Sequence, residues 1–162
     1  MALPVLVGYD GSDHAKAAVE WAAAEASSRG AGLTLMSAFV PPTSGAAFGY
    51  GAFLSPDAMA DIVDRARAAL DLEGEEVARR YPGLSVASDV IVASPSSALV
   101  DASDEACLTV VGSRGLGGFR GLVLGSVGIQ VATHAHSPVV VVRQQPDPDA
   151  KVVVVGVDGS PL

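Results

Sequence analysis

The feature of this sequence that most constrains its fold is the strict alternation of short valine-rich segments with longer segments of helical spacing. Five segments predict buried strands, and they cover residues 5–10, 33–40, 86–92, 108–111 and 139–142. Four helices are expected between them, starting at or beside Ser12, Ser55, Ser94 and Ser126. Such alternation indicates an α/β fold, an open five-stranded parallel sheet with helices on both faces, which binds ligands at the carboxyl ends of its strands.

Alanine and valine dominate the composition, with 27 and 24 residues among the 162. This suits alanine-faced helices on valine-rich strands, because parallel strands covered on both faces carry continuous apolar runs. A hydrophobic share of 49% excludes a disordered chain. The single cysteine, Cys107, excludes a disulfide framework, and we expect it to be a buried small hydrophobe.

Charge and hydropathy exclude two classes of partner. The net charge is −8 and the pI is about 4.6, so the basic surface that duplex nucleic acid requires is missing. No apolar stretch approaches the roughly 20 residues of a membrane-spanning helix, and no signal peptide is recognised before the first strand. We therefore expect a cytoplasmic protein that binds neither nucleic acid nor membrane.

The segment from Gly112 to Ser126 carries the strongest functional signal. It joins the end of a strand to the start of a helix and is rich in glycine, whose backbone N–H groups can approach a phosphate closely. It contains Arg114 and Arg120 but no acidic residue, although the chain as a whole is acidic. A helix N-terminus at Gly125 would add its dipole to the same anion site. The alternative interpretation is a flexible glycine-rich connection.

Better-known phosphate-binding patterns do not fit this chain. A P-loop requires a Lys-Ser or Lys-Thr pair after its glycines, and no lysine lies near this segment. A dinucleotide fingerprint requires Gly-x-Gly-x-x-Gly after the first strand, where this chain has Gly-Tyr-Asp-Gly. A phosphatase of the haloacid dehalogenase type would need aspartate at Ser12, and a response-regulator receiver would need it at Ala93.

The pattern Gly112-x2-Gly115-x9-Gly125-Ser126 resembles the ATP-binding motif of the universal stress protein family, Gly-x2-Gly-x9-Gly-Ser/Thr. The resemblance covers residues 3–143, and Asp10 at the end of the first strand falls in the expected order. It implies a Rossmann-like fold of the adenine nucleotide alpha hydrolase-like type. It also implies that ATP, accompanied by Mg²⁺, is the ligand, since Mg²⁺ keeps its waters and needs few protein ligands.

The resemblance also implies a role for each matching position. Asp10 would lie near the adenine and ribose, and Ala38 would touch the adenine. The glycine-rich loop would wrap the ribose and phosphates. The expected cofactor-binding residues are Gly8, Tyr9, Asp10, Ala38, Gly112, Ser113, Arg114, Gly115, Leu116, Gly117, Gly118, Gly125, Ser126 and Val127.

The end of the sequence repeats its beginning. The pattern Val-Gly-x-Asp-Gly-Ser occurs at residues 7–12 and again at 155–160. We therefore expect a universal stress protein domain at 1–143, a polar, proline-containing linker at 144–151, and the first strand of a truncated second domain at 152–162. Chance recurrence of a valine-rich strand is the alternative. The arrangement resembles the N-terminal part of a tandem two-domain family member.

Three functional hypotheses follow. The first is an ATP-binding module that acts in stress-response regulation through nucleotide occupancy and oligomerisation, with no dedicated catalysis. The second is a slow ATPase or phosphotransferase in which Arg114 and Arg120 stabilise phosphoryl charge. The third is a nucleotide-independent dimerisation scaffold. By resemblance, residues 139–143 would pair with a partner's final strand, in a homodimer or with a second domain of the same chain.

Other chemistry-bearing residues have plainer interpretations. Asp10 could serve only to cap the following helix. His134 and His136 are expected near a helix C-terminus rather than in a metal site. The aromatic residues of the loop before Ser55 are expected to anchor that loop, with a lid or an interface as alternatives; they are Phe48, Tyr50 and Phe53.

Overall fold

The computed structural model describes residues 2–41, 55–116, 124–143 and 152–156. The strands in these ranges are β1 Val5–Gly8, β2 Leu33–Ala38, β3 Val86–Ile91, β4 Leu108–Gly112 and β5 Val139–Val142. The helices are α1 Asp13–Arg29, α2 Pro56–Arg80, α3 Pro95–Ala102 and α4 Ser126–His134, with a 3-10 helix at Ser103–Glu105. Each strand and helix that the alternation predicts is present, which confirms the α/β fold.

Two kinds of element boundary differ from the prediction. β1 ends at Gly8, earlier than residue 10, since the chain turns at Gly11 with a φ of 82°. β2 and β3 end at Ala38 and Ile91, earlier than residues 40 and 92, because these two residues form the last pair between the strands.

The spacing predicts that α3 runs to about Ala106, but it ends at Ala102. Just beyond, the Ser103 hydroxyl donates to the Val100 carbonyl at 2.6 Å and accepts the His136 N–H at 2.8 Å. This long-range contact was not visible in the helical spacing.

The sheet is parallel throughout, with the strand order β3-β2-β1-β4-β5. From β1 the chain adds β2 and β3 on one side, then crosses to add β4 and β5 on the other. β1 and β4 are therefore neighbours whose connections lead away in opposite directions. The crevice at their carboxyl ends is the usual ligand position in open sheets of this kind.

The two faces of the sheet are covered unequally. α1 and α2 pack on one face over the larger part of the core, which includes Leu33, Leu35 and Val110. α1 buries small residues there, namely Ala15, Ala18, Val19, Ala22, Ala23 and Ala26. The opposite face, with Leu6 and Val111, is covered by the shorter helices α3 and α4. As the composition predicts, alanines of α1 pack against valines of the strands.

Helix termini follow local sequence signals. The Ser12 hydroxyl accepts the Ala15 N–H at 3.2 Å at the start of α1, and Gly30 ends that helix with a φ of 63°. The Ser55 hydroxyl caps α2 in the same way, by accepting the Ala58 N–H at 3.2 Å. α4 differs, because its N-cap is Gly125 and has no side chain to accept a hydrogen bond.

Several predictions concern residues that lie outside the sheet or outside the described ranges. Residues 152–156 lie in no strand in this structure and are exposed, so the predicted first strand of a second domain stays a prediction. The linker and the three aromatic residues of the loop before α2 lie outside the described residues. Cys107 is only partly buried, although it packs against the core. Within the described ranges, no helix is long and apolar enough to cross a membrane.

Candidate nucleotide-binding site

A cavity of about 520 Å³ opens at the carboxyl ends of β1, β2 and β4. Its walls come from the turn after β1, the end of β2, the start of α3 and both described ends of the connection from β4 to α4. This is the crevice where the strand order reverses. The volume lies within the range of about 300–1,000 Å³ that is common for small-molecule sites.

Most of the residues expected at a nucleotide site line this one cavity. They are Gly8, Tyr9, Asp10, Ala38, Gly112, Arg114, Gly115, Leu116, Gly125, Ser126 and Val127. Ser113 is instead buried below the surface, where its N–H donates to the Val142 carbonyl and its own carbonyl accepts the Gly125 N–H, both at 2.8 Å. Gly117, Gly118 and Arg120 lie outside the described residues.

The cavity has further lining residues that sequence reasoning missed. They are Ala15, Met36, Pro95, Leu99, Val111 and Gly128. Most are apolar, and they come from the face of the sheet that α3 and α4 cover, or from the first turn of a helix. Hydrophobic spacing identified several of them as core residues, but it carries no signal that a core side chain also forms the floor of a cavity.

The N-terminus of α4 opens into this cavity without a side-chain cap. Gly125 has an extended backbone, with φ −75° and ψ 163°, and its carbonyl accepts the Ile129 N–H at 3.0 Å. Helix geometry leaves the preceding N–H groups, those of Ser126, Val127 and Gly128, without an acceptor inside the helix. All three residues line the cavity. These N–H groups and the positive end of the helix dipole can therefore meet an anion there.

Arg114 adds a positive charge to the same cavity. It is partly exposed and lies between Gly112 and Gly115, which also line the wall. Among the ion pairs of the described residues, none involves Arg114. The sequence from 108 to 143 contains neither Asp nor Glu, so the whole β4–α4–β5 unit supplies positive charge alone. This electrostatic setting favours a phosphate over a neutral ligand.

Asp10 lines the cavity at the wall formed by the turn after β1, and both carboxylate oxygens accept backbone N–H groups. Oδ1 accepts the Ser12 N–H at 3.0 Å, and Oδ2 accepts the Leu116 N–H at 3.0 Å. The residue is exposed, so it combines a local bond in its own turn with a bond to the glycine-rich connection. The alternative interpretation of Asp10, as a local cap alone, accounts for the first bond and misses the second.

Tyr9 fixes the same wall to α2. Its hydroxyl donates to Glu73 Oε2 at 3.0 Å, and its backbone N–H donates to the Met36 carbonyl at 2.8 Å. Burial and the hydrogen bond to Glu73 raise the pKa of Tyr9 to about 12, because both favour the neutral phenol. Tyr9 therefore stays a hydrogen-bond donor over the physiological pH range.

The motif glycines are required for different physical reasons. A Cβ at Gly112 would lie 2.7 Å from the His14 carbonyl oxygen, so this glycine lets the first turn of α1 pack against β4. A Cβ at Gly115 would overlap Asp10 Oδ2. A Cβ at Gly125 would meet its nearest atoms at 3.6 Å, an ordinary contact. Glycine at position 125 is therefore not explained by packing in the described part of the chain.

A metal ion finds few protein ligands in this part of the molecule. Among the described residues, no group of three or more His, Cys, Asp and Glu side chains lies close enough together to hold a metal ion. Asp10 is the carboxylate that lines the cavity, and its oxygens already bind two N–H groups. The donor set at this site suits phosphate oxygens better than a directly coordinated cation.

Comparisons with known proteins agree with this fold. The family model for the universal stress protein family matches residues 1–143. A universal stress protein of Mycobacterium tuberculosis is 36% identical over 165 residues, which cover 98% of this chain and 54% of that protein. The chain thus spans about half the length of the curated relatives it matches.

Solved structures with the same fold include nucleotide complexes. A universal stress protein in complex with cAMP is 28% identical, with a TM-score of 0.66 and coverage of 90% of this chain and 100% of that one. The universal stress protein of Archaeoglobus fulgidus in complex with dAMP shares the fold at 23% identity, with a TM-score of 0.61 and coverage of 87% and 98%. By sequence and by structure, the chain belongs to the universal stress protein family.

Proposed function

We propose that this chain is an ATP-binding module that acts in stress-response regulation through nucleotide occupancy and oligomerisation. The observation that carries the proposal is the uncapped N-terminus of α4, which opens beside Arg114 into a cavity of suitable size. Related proteins of the same fold have been solved with cAMP and dAMP, which supports an adenine nucleotide as the ligand class.

The two halves of the cavity suit the two halves of a nucleotide. Apolar side chains, among them Met36, Leu99 and Val111, offer a surface for a base. The N–H groups at the start of α4 and the Arg114 guanidinium offer hydrogen bonds and positive charge for phosphates. In this proposal Ala38 contacts the adenine, and the Gly112–Leu116 segment contacts the ribose and phosphates.

Mg²⁺ in this proposal accompanies the ligand and is not held by the protein. The phosphate side of the site contains no carboxylate in its sequence, and the Asp10 carboxylate accepts two backbone N–H groups. Phosphate oxygens and water would complete the coordination of the ion, as Mg²⁺ accepts readily. We therefore expect ATP affinity to depend only weakly on Mg²⁺.

Occupancy rather than turnover is the expected mode of action. A general base must lie within hydrogen-bond reach of the proton it removes. The carboxylate available in the cavity, Asp10, is already engaged by the Ser12 and Leu116 N–H groups. Slow hydrolysis aided by Arg114 remains the enzymatic alternative, and phosphate release from ATP would measure it.

Oligomerisation is proposed to occur through β5, the edge strand beside β4. An edge strand presents unpaired backbone groups that can pair with another chain. The partner would be a second copy of this domain or a second domain of the same chain. The repeated pattern at residues 155–160 and the half-length coverage of the relatives support the tandem arrangement.

Isothermal titration of the purified chain with ATP, with Mg²⁺ and with EDTA, tests the proposal. We expect saturable binding in both buffers. Arg114→Ala should weaken it about 10- to 100-fold, because a charge-assisted hydrogen bond is lost. The control Arg67→Ala removes an exposed cation of α2, away from the cavity, and should leave binding unchanged. Absence of binding at millimolar ATP contradicts the proposal.

A further inference from the structure

We propose that Asp10 is a positioning residue, whose carboxylate clamps the glycine-rich connection after β4 onto the turn after β1 before any ligand arrives. The proposal assigns the carboxylate to the protein's own backbone rather than to the nucleotide. It deepens the proposed function, on which its affinity measurements rest. The clamp itself is a property of the ligand-free chain.

The clamp lies just beyond the point where the pairing between β1 and β4 ends. β1 and β4 are paired through Val7 and Val110. Past that point, the Tyr9 N–H donates to the Met36 carbonyl of β2, and the Ser113 N–H donates to the Val142 carbonyl of β5. The segments after β1 and β4 thus continue towards β2 and β5 respectively, and both line the cavity. Among the hydrogen bonds of the described residues, the one from the Leu116 N–H to Asp10 Oδ2 joins the two segments again.

The Asp10 side chain is itself held in place for this bond. Oδ1 accepts the Ser12 N–H, two residues along the chain, which is the short-range bond typical of an Asx turn. Gly11 between them has a φ of 82°, a left-handed conformation that glycine adopts without strain. Ser12 then caps α1. The carboxylate therefore projects from a turn that is fixed by its own sequence.

Gly115 carries a second mark of the clamp. Its φ does not lie in the left-handed region, where the positive-φ glycines of the described chain are Gly11, Gly30 and Gly83. Backbone conformation therefore does not exclude a side chain at position 115. Asp10 opposes it instead, because a Cβ at Gly115 would overlap Oδ2 and the carboxylate would have to shift from its bond to Leu116. The second glycine of the motif is thus explained by the carboxylate at the end of β1.

The consequence for binding is preorganisation. The segment from Gly112 to Leu116 contains Arg114 and forms one wall of the cavity. A segment already held in its binding geometry loses less conformational entropy when the ligand arrives. The carboxylate increases affinity by this route although it carries the same sign of charge as a phosphate.

A double-mutant cycle between positions 10 and 115 tests the clamp. The four proteins are the wild type, Asp10→Ala, Gly115→Ala and the double variant. Hydrogen exchange of the Leu116 amide is measured without ligand, and ATP affinity is measured by titration. We expect Asp10→Ala to speed Leu116 exchange on the order of tenfold or more and to weaken ATP binding. We expect Gly115→Ala to weaken binding alone but to add almost nothing in the Asp10→Ala background, where the overlap is gone.

Asp13→Ala is the matched control. It removes an exposed carboxylate from the first turn of α1, outside the cavity lining, and should leave Leu116 exchange unchanged. Exchange of the core amides of α1 verifies that each variant is folded.

Two results overturn the clamp. One is unchanged Leu116 exchange in folded Asp10→Ala protein. The other is additive effects of the two substitutions on affinity. Either would mean that Asp10 acts on the nucleotide alone. Loss of the proposed function is distinguishable, because a chain that binds no ATP still reports the clamp through exchange in the ligand-free state.

Discussion

Two helices begin at the same edge of the sheet, and their N-termini are built in opposite ways. α1 begins with Ser12, whose hydroxyl accepts the Ala15 N–H, and carries Asp13 in its first turn. α4 begins with Gly125, and its first turn contains no acidic residue. Both helices contribute residues to the wall of one cavity. Among the described residues, the start of α1 is therefore capped by the chain's own side chain, and the start of α4 is not.

The start of α1 is built for helix stability, whereas in the proposed function the start of α4 is built for ligand binding. A serine cap and an acid in the first turn each stabilise a helix, the cap by about 1 kcal/mol. α4 lacks both, although the described part of the chain leaves space for a side chain at Gly125. Part of the stability available to α4 is thus not realised, and the N–H groups remain free for phosphate in the proposed function. Of the three predictions below, the first gives α4 a capped start, the second removes the cap of α1, and the third concerns Tyr9 at the β1 side of the cavity.

The largest effect is expected when α4 is given the start that α1 has. Gly125→Asp places a carboxylate where it can cap the helix and repel a phosphate. We expect ATP affinity to fall on the order of 100-fold, while thermal stability stays equal or rises slightly. Titration calorimetry and thermal melting measure the two quantities on the same sample.

Gly125→Ala is the control for this change. The backbone at Gly125 is extended and a Cβ there meets ordinary contacts, so the alanine adds a methyl group without a cap or a charge. We expect it to retain most of the affinity. Equal affinities for the Asp and Ala variants would contradict the assignment of the α4 N-terminus to phosphate.

A smaller effect is expected when the cap of α1 is removed. Ser12→Ala deletes the acceptor of the Ala15 N–H and should lower the free energy of unfolding by about 1 kcal/mol, or the melting temperature by about 2–4 °C. ATP affinity should not change, because the Ser12 N–H that binds Asp10 belongs to the backbone. Ser55→Ala removes the equivalent cap of α2 and should give a similar loss of stability. A large loss of affinity in Ser12→Ala with normal stability would refute the division of roles.

The smallest effect concerns the pH at which Tyr9, on the β1 side of the cavity, loses its proton. The pKa of Tyr9 is about 12 in the folded protein, above the value of 10 for an ordinary tyrosine. A raised pKa means that the neutral phenol is stabilised by folding, so this contribution is complete below pH 10 and is lost as the pH rises through about 12. The difference in tyrosinate absorbance between the wild type and Tyr9→Phe should therefore titrate near pH 12. A difference spectrum that titrates near pH 10 would show that Tyr9 is neither buried nor bonded to Glu73 in solution as described.

The sequence predicted the elements better than it predicted the site. Local signals placed the helix starts at Ser12 and Ser55 and the strand at β5, because capping and apolar runs depend on neighbours in sequence. The motif likewise predicted a common site for Arg114 and Gly125, and both line one cavity. Met36 and Leu99 were missed because their place in the cavity depends on how β2 and α3 pack, which spacing does not encode.

Asp10 shows a different limit of sequence reasoning. Its position at a strand end marked it as a site residue, and the local cap was an open alternative. Its second bond, to the Leu116 N–H, joins residues 106 positions apart. Only the strand order brings those two turns together. The reason for glycine at position 115 could be found only after that contact was known.

Backbone amide NMR of the labelled chain during ATP titration tests whether the N-terminus of α4 binds phosphate. We predict that the amides of Ser126, Val127 and Gly128 show the largest shifts at saturation. The amides of Asp57 and Ala58, at the capped start of α2 outside the cavity lining, should stay in place. If ATP saturates the protein while the three α4 amides do not move, the N-terminus of α4 is not the phosphate site and the account is wrong.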